Sequence, residues 1–207
     1  DIANPKLWNC DTPNLYTATV RILDANGKEK DCATTRFGIR TIEIGPDFGL
    51  KVNGSKVLLK GIANHHTLGA LGAAAYPRAM EKRMKMLKDF GFNHIRTSHN
   101  PYSTSFLNLC DSLGILVIDE NRLSGTSEYA IGSLEKMIRR DRNHPSVILW
   151  SAGNEEWGIE WNEKGERIAA RMRDYCHQFD PSREMTFATS GGPTVEVPVD
   201  EIGRAHV

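Results

Sequence analysis

From residue 57 to residue 188, short apolar runs alternate with stretches of helical period, and few architectures accommodate that order. Residues 57–62, 92–95, 115–118, 147–150 and 185–188 read as strands. Between them, 77–90, 103–113, 133–141 and 162–179 read as helices, the first with Met80, Met84, Met86 and Leu87 turned to a core. Strand–helix repetition with short loops means a parallel sheet, either doubly wound or closed into a barrel. The first strand has no glycine-rich phosphate loop, which counts against a dinucleotide fold. The apolar run Val147-Ile148-Leu149-Trp150 suits a strand buried on both faces, with Pro145 leading in and Gly153 ending it.

The first 45 residues have another style. Residues 15–23 alternate, with Tyr16, Ala18, Val20 and Ile22 on one face, as in a half-buried antiparallel strand. Asp24-Ala25-Asn26-Gly27-Lys28 supplies turn chemistry, and residues 33–44 alternate again. This is the pattern of closing hairpins in a β-sandwich, with too few strands to complete one. Gly45-Pro46 marks the change, and a hairpin around Asn53-Gly54 leads into the first strand of the α/β part.

The 207 residues carry 26 basic and 26 acidic side chains, so charge gives no case for nucleic acid or an anionic membrane. No apolar run reaches the length needed to span a bilayer. Asp1 is preceded by neither an initiator Met nor a signal-peptide pattern, so the chain reads as the middle of something longer. Its compartment, cytoplasmic or periplasmic, is not set by the sequence. Cys10, Cys32, Cys110 and Cys176 show no C-x-x-C pair; Cys110 and Cys176 fall on apolar helix faces as buried thiols.

In a β/α barrel, polar residues just after each strand gather at one mouth. Here the strand ends read Asn64-His65-His66, Arg96-Thr97-Ser98-His99-Asn100, Asp119-Glu120-Asn121-Arg122 and Asn154-Glu155-Glu156-Trp157. Four such ends make a polar ligand site, and amides, imidazoles, carboxylates and an indole suit a carbohydrate. Glu155 is placed for acid/base work, with burial against Trp157 expected to raise its pKa. The competing reading is a Glu-Glu pair at a helix N-terminus, where negative charge is favoured. Metal ligation competes for His65, His66 and His99, but no H-e-x-x-H type of spacing is present.

Ordered blocks then point to a family. They are Leu7-Trp8-Asn9-Cys10-Asp11-Thr12-Pro13-Asn14-Leu15-Tyr16, Phe37-Gly38-Ile39-Arg40, Asn53-Gly54-Ser55-Lys56 and Leu59-Lys60-Gly61-Ile62-Ala63-Asn64-His65. They continue as Arg96-Thr97-Ser98-His99-Asn100-Pro101, Cys110-Asp111, Asp119-Glu120, Asn143-His144-Pro145-Ser146 and Trp150-Ser151-Ala152-Gly153-Asn154-Glu155. The chain resembles glycoside hydrolase family two, the β-galactosidase and β-glucuronidase family. The resemblance implies an immunoglobulin-like sandwich (residues 1–45 its C-terminal part) leading into a TIM barrel, with residues 46–200 its N-terminal part. It implies a retaining exo-β-glycosidase with Glu155 as acid/base, Glu156 its rival. Asn154 would bond a sugar hydroxyl, His65 and His99 would line the sugar subsite, and Arg96 would lie near the nucleophile.

Two departures from the family stand out. Several of its β-galactosidases hold magnesium through a Glu and a His in the loop after strand three; here residues 119–125 contain no His, so no cofactor is expected. The family nucleophile lies at the end of strand seven, and Glu196 and Glu201 come too early to match it. The last seven residues, 201–207, fit no family pattern and are expected to be a non-native tail resembling a translated sequencing adapter. The expected substrate is a terminal β-linked sugar, most simply a β-galactoside, and the resemblance is compatible with an oligomer in the full-length protein. The alternatives are a non-catalytic carbohydrate-binding or structural module on this scaffold, and a metal-dependent hydrolase on a similar barrel.

Overall fold

The computed structural model describes residues 2–190 and 200–204. In chain order, β1 (Tyr16–Leu23) and β2 (Glu29–Phe37) pair as an antiparallel ribbon. Next, β3 (Ile42–Gly45), β4 (Gly49–Val52) and β5 (Ser55–Lys56) form a small antiparallel sheet. Then come β6 (Gly61–His65), α1 (Pro77–Asp89), β7 (His94–Ser98), α2 (Thr104–Leu113), β8 (Leu116–Glu120) and α3 (Glu128–Asp141). They are followed by β9 (Val147–Asn154), a one-turn α4 (Trp157–Glu160), α5 (Glu163–Phe179), β10 (Met185–Thr189) and β11 (Glu201–Arg204). The strands β6 to β11 lie side by side in chain order, each pair parallel, as in successive strands of a barrel.

The helices stop and start where local chemistry dictates. Ser103 and Asn162 cap α2 and α5 by accepting from Phe106 N and Gly165 N. α3 begins five residues earlier than expected, because Ser127 accepts from Ala130 N and Glu128 sits in the first turn. The barrel strands run past their last apolar residues into the polar ends, so β7 reaches Ser98 and β9 passes through Gly153 to Asn154. Residues 57–60 are not strand: β5 ends at Lys56, and Val57 and Leu59 instead pack against a second core.

The main core lies between the parallel sheet and its helices, with Met84, Leu107, Leu134, Trp150, Met172 and Phe187 fully or almost fully buried. Met86, expected on that face, is half exposed, while Met80 is buried. The second core plugs the N-terminal end of the strands: Trp8, Leu50 and Val52 pack on Leu116, Ile148 and Leu149. Here the family blocks do structural work. Trp8 Nε1 donates to Asp111 O at 2.8 Å, and Arg40 donates to Pro145 O and Val147 O at 2.8 and 2.6 Å. The Asp111 carboxylate accepts from His144 Nδ1 and from Ser146 N and Oγ. Cys110 and Cys176 are buried, and desolvation pushes the Cys176 thiol up to about 12, so both are inert.

The ribbon departs from expectation. Val20 and Ile22 are 65% and 58% exposed, because no second layer among the described residues covers their face. Residues 33–44 are also not one strand, since Ile42–Gly45 leaves the ribbon to pair with β4. The segment expected as a tail runs as strand over Glu201–Arg204, beside Thr186–Thr189 of β10. Residues 205–207 lie outside the described residues, as do Glu196 and the side chain of Glu201. No helix among the described residues is long and apolar enough to cross a membrane.

Candidate active site

The C-terminal ends of β6 to β9 converge on one carboxylate that the sequence reading did not single out. Glu120, the last residue of β8, is fully buried. Its Oε2 accepts from Arg96 Nε at 2.7 Å and Ser151 Oγ at 2.8 Å, and Arg96 Nη2 lies 2.6 Å away as an ion pair. Its Oε1 faces His99 Nδ1 at 2.7 Å. The pleat explains why Glu120 and not its neighbour fills this role. Ile118 and Glu120 point to the inner face of the sheet, whereas Val117 and Asp119 point to the helices. Asp119 accordingly accepts from Thr97 Oγ1, on the helix side of β7. Burial, and then the charge of Asp141, raise its pKa well above the ordinary 3.8.

Arg96 passes the network on. Its Nη2 donates to Asn154 Oδ1 at 2.5 Å. A bulge makes that possible: Ser151 and Asn154 of β9 lie opposite Thr186 and Ala188 of β10, three steps against two. One extra residue flips the alternation, so that Asn154, not Gly153, joins Ser151 on the inner face. Gly153 is then pinned in place, since a Cβ there would lie 1.9 Å from Ser124 Oγ and 2.9 Å from the Phe187 ring.

Glu155 follows immediately. Its N–H donates to Ala188 O at 2.8 Å, and its φ of 48° is left-handed, a conformation costly for a residue with a Cβ. Strain of this kind gathers at functional sites, and here it turns the chain sharply off the strand end. The side chain is exposed, and Trp157, expected to bury it, is itself 75% exposed and tilted against Trp161. The expected wall beside Glu155 is therefore not formed by Trp157. Glu156 accepts backbone bonds from Ile159 and Glu160 as the N-cap of α4, and its carboxylate lies 3.8 Å from Arg122.

The imidazoles divide. His65 meets His99 edge to face, with ring centroids 5.0 Å apart, so both border the mouth. His66 turns away to the Tyr102 ring. With His99 Nδ1 held by Glu120 and His66 elsewhere, the three do not form a metal-ligand set. A magnesium ion is equally ill served by the loop after β8, because both Glu120 oxygens are taken by Arg96, Ser151 and His99. Among the described residues, the groups close enough to share a cation are His177, Glu184 and Asp200, at the far end of β10. The structure thus brings Arg96, His99, Asn154 and Glu155 to one mouth with His65 at its rim, around Glu120.

The family profile described as "Glycosyl hydrolases family 2, TIM barrel domain" matches residues 46–131 and 124–203, and the profile "Glycosyl hydrolases family 2" matches residues 1–40. A β-galactosidase of Bacteroides ovatus is 37% identical over 197 residues, 89% of this chain and 23% of that protein. A putative β-glucuronidase of Formosa agariphila is 35% identical over 205 residues, 93% of this chain and 19% of that protein. Among solved structures, a glycosyl hydrolase family 2 member from Bacteroides cellulosilyticus superposes with a TM-score of 0.86 at 38% identity, over 97% of this chain and 28% of that one. A β-glycosidase from Bacteroides vulgatus gives 0.86 at 37% identity, over 98% and 27%. This chain therefore spans about a quarter or less of the length of its curated relatives. With a sandwich portion followed by successive β/α units and their polar mouth, it belongs to glycosyl hydrolase family 2.

Proposed function

We propose that the protein carrying this segment is a retaining exo-β-glycosidase that removes terminal β-linked sugars, most simply β-galactosides. The observation that carries the reading is the buried Arg96–Glu120–His99 network joined to Asn154, beside a strained and exposed Glu155. Such a network gives a sugar fixed hydrogen-bonding partners, and Glu155 stands next to them with room to reach a glycosidic oxygen. In the double displacement, Glu155 as an acid donates its proton to the leaving oxygen while a second carboxylate attacks the anomeric carbon. The family reading places that nucleophile at the end of the seventh barrel strand. Glu155, now a base, takes a proton from the incoming water, which releases the sugar with its configuration retained. Asn154, His65 and His99 orient the hydroxyls, and Arg96 supplies positive charge near the attacking carboxylate. The ligand is carbohydrate, with neither nucleic acid nor a membrane as partner.

The reading makes a leaving-group prediction. In the full-length protein, Glu155→Gln should lower kcat/KM for alkyl β-galactosides by about 10²–10⁴-fold yet keep the first step on aryl glycosides with acidic leaving phenols, which need no proton. Added azide should then accelerate release and yield the β-glycosyl azide. Equal loss on both substrate types, with no azide product, would remove Glu155 from the acid/base role.

A further inference from the structure

We infer that Glu120 is a positioning residue that sets the hydrogen-bond polarity of the sugar subsite, presenting His99 as an acceptor and Asn154 as a donor. The inference rests on the glycosidase reading and adds to it which group of the subsite gives and which takes. Glu120 is fully buried, accepts from Arg96 Nε and Ser151 Oγ, and is ion-paired to Arg96 Nη2 at 2.6 Å, the setting of a carboxylate, which can only accept. At 2.7 Å from Glu120 Oε1, His99 Nδ1 must therefore carry the hydrogen. In the neutral ring, Nε2 is then a bare lone pair. Arg96 Nη2 lies 3.5 Å from the same Nδ1, but both are donors, so that approach adds no competing bond. Arg96 Nη2 instead donates to Asn154 Oδ1 at 2.5 Å, which fixes the amide and leaves Nδ2 with its hydrogens for a ligand. Ser151 Oγ is the second hydrogen-bond donor to Oε2 and completes the cradle from β9. One carboxylate, through two partners, thus determines what a hydroxyl meets on either side.

Glu120→Gln tests this because the replacement has the same shape. Its amide oxygen is claimed by the Arg96 donors, so its NH2 faces His99 Nδ1 and drives the ring to the Nε2–H tautomer. The acceptor becomes a donor. With the full-length protein, kcat/KM would be compared for a β-glycoside and its mono-deoxyfluoro analogues, since fluorine accepts weakly and cannot donate. In the wild type, one fluorinated position should lose roughly tenfold from the missing hydrogen bond. In Glu120→Gln that hydroxyl-to-fluorine ratio should shrink towards one, alongside a general fall in rate of about a hundredfold from lost alignment. A residue that only supports the fold would lower every rate and leave the ratio unchanged, and that result overturns the inference. If Glu120→Gln does not fold, His99→Asn, which keeps an N–H for Glu120 and removes the Nε2 acceptor, must lose the same ratio; its retention is equally fatal. A wild type without glycosidase turnover overturns the functional reading and this inference together, whereas an active wild type with an unchanged ratio overturns this inference alone.

Discussion

At the scale of single residues, the site is one buried charge pair with consequences. Glu120 is fully buried and the Arg96 side chain is only 14% exposed, so the carboxylate depends on the guanidinium rather than on water for its compensation. Removing one partner of such a pair leaves the other uncompensated. Arg96→Leu should therefore cost about 3–5 kcal/mol of stability, read as a fall in the urea midpoint of the full-length protein. A loss under 1 kcal/mol would mean that water already reaches Glu120. The candidates Arg96, His99, Asn154 and Glu155 were legible because they sit at strand ends, where a parallel sheet gathers its polar groups. Glu120 was not, because in Asp119-Glu120-Asn121-Arg122 only the pleat decides which acid points inward. The expectation about Trp157 went astray for a related reason: proximity in sequence to Glu155 does not say which way an indole turns after a left-handed residue.

At the scale of elements, β7 carries a pH dependence. His94 opens the strand, almost fully buried, and packs so closely on β6 that a Cβ on Gly61 would lie 2.4 Å from His94 O and 2.6 Å from its ring. Its Nδ1 donates to Leu116 O at 3.2 Å. Burial, the largest influence, lowers its pKa to about 4 from 6.5. The unfolded chain binds a proton as pH drops below 6.5, while the folded chain stays neutral until near 4. The contribution is thus fully present above pH 6.5 and lost as pH falls towards 4, about 3 kcal/mol in all. His94→Gln should flatten the stability profile between those limits, and an unchanged slope would assign the acid sensitivity to other groups. β9 offers a second test at this scale. Gly153→Ala forces a Cβ against Ser124 and Phe187 and should cost about 1–3 kcal/mol, with Asn154 displaced and activity reduced. The strand–helix order was readable from hydrophobic period, but not where the strands end: the ladder continues into polar residues that have no apolar signal. The bulge that turns Asn154 inward has no signature in Ser151-Ala152-Gly153-Asn154 beyond its glycine.

At the scale of the whole molecule, among the described residues six parallel strands leave β6 and β11 at the edges of the sheet, and the β1–β2 ribbon shows Val20, Ile22 and Leu23 to solvent. Unpaired edges and an apolar ribbon face invite association. The 207-residue chain expressed by itself should accordingly elute as concentration-dependent oligomers or aggregates in gel filtration; a monomer with a sharp unfolding transition would contradict this. The alternation of residues 15–23 correctly gave the strand but not its burial, because the sheet that would cover Val20 and Ile22 is not among the described residues. What the chain does hold together is the plug of Trp8, Leu50 and Val52 under the strands, which ties the sandwich portion to the barrel portion. In the proposed function, this scaffold presents Glu155 as the acid at one mouth. The most direct measurement compares Glu155→Gln with Glu156→Gln in the full-length protein on an alkyl β-galactoside. Glu155→Gln should lower kcat/KM by about 10²–10⁴-fold and Glu156→Gln by no more than a few-fold. The reverse order would place the acid/base on Glu156 and contradict the account.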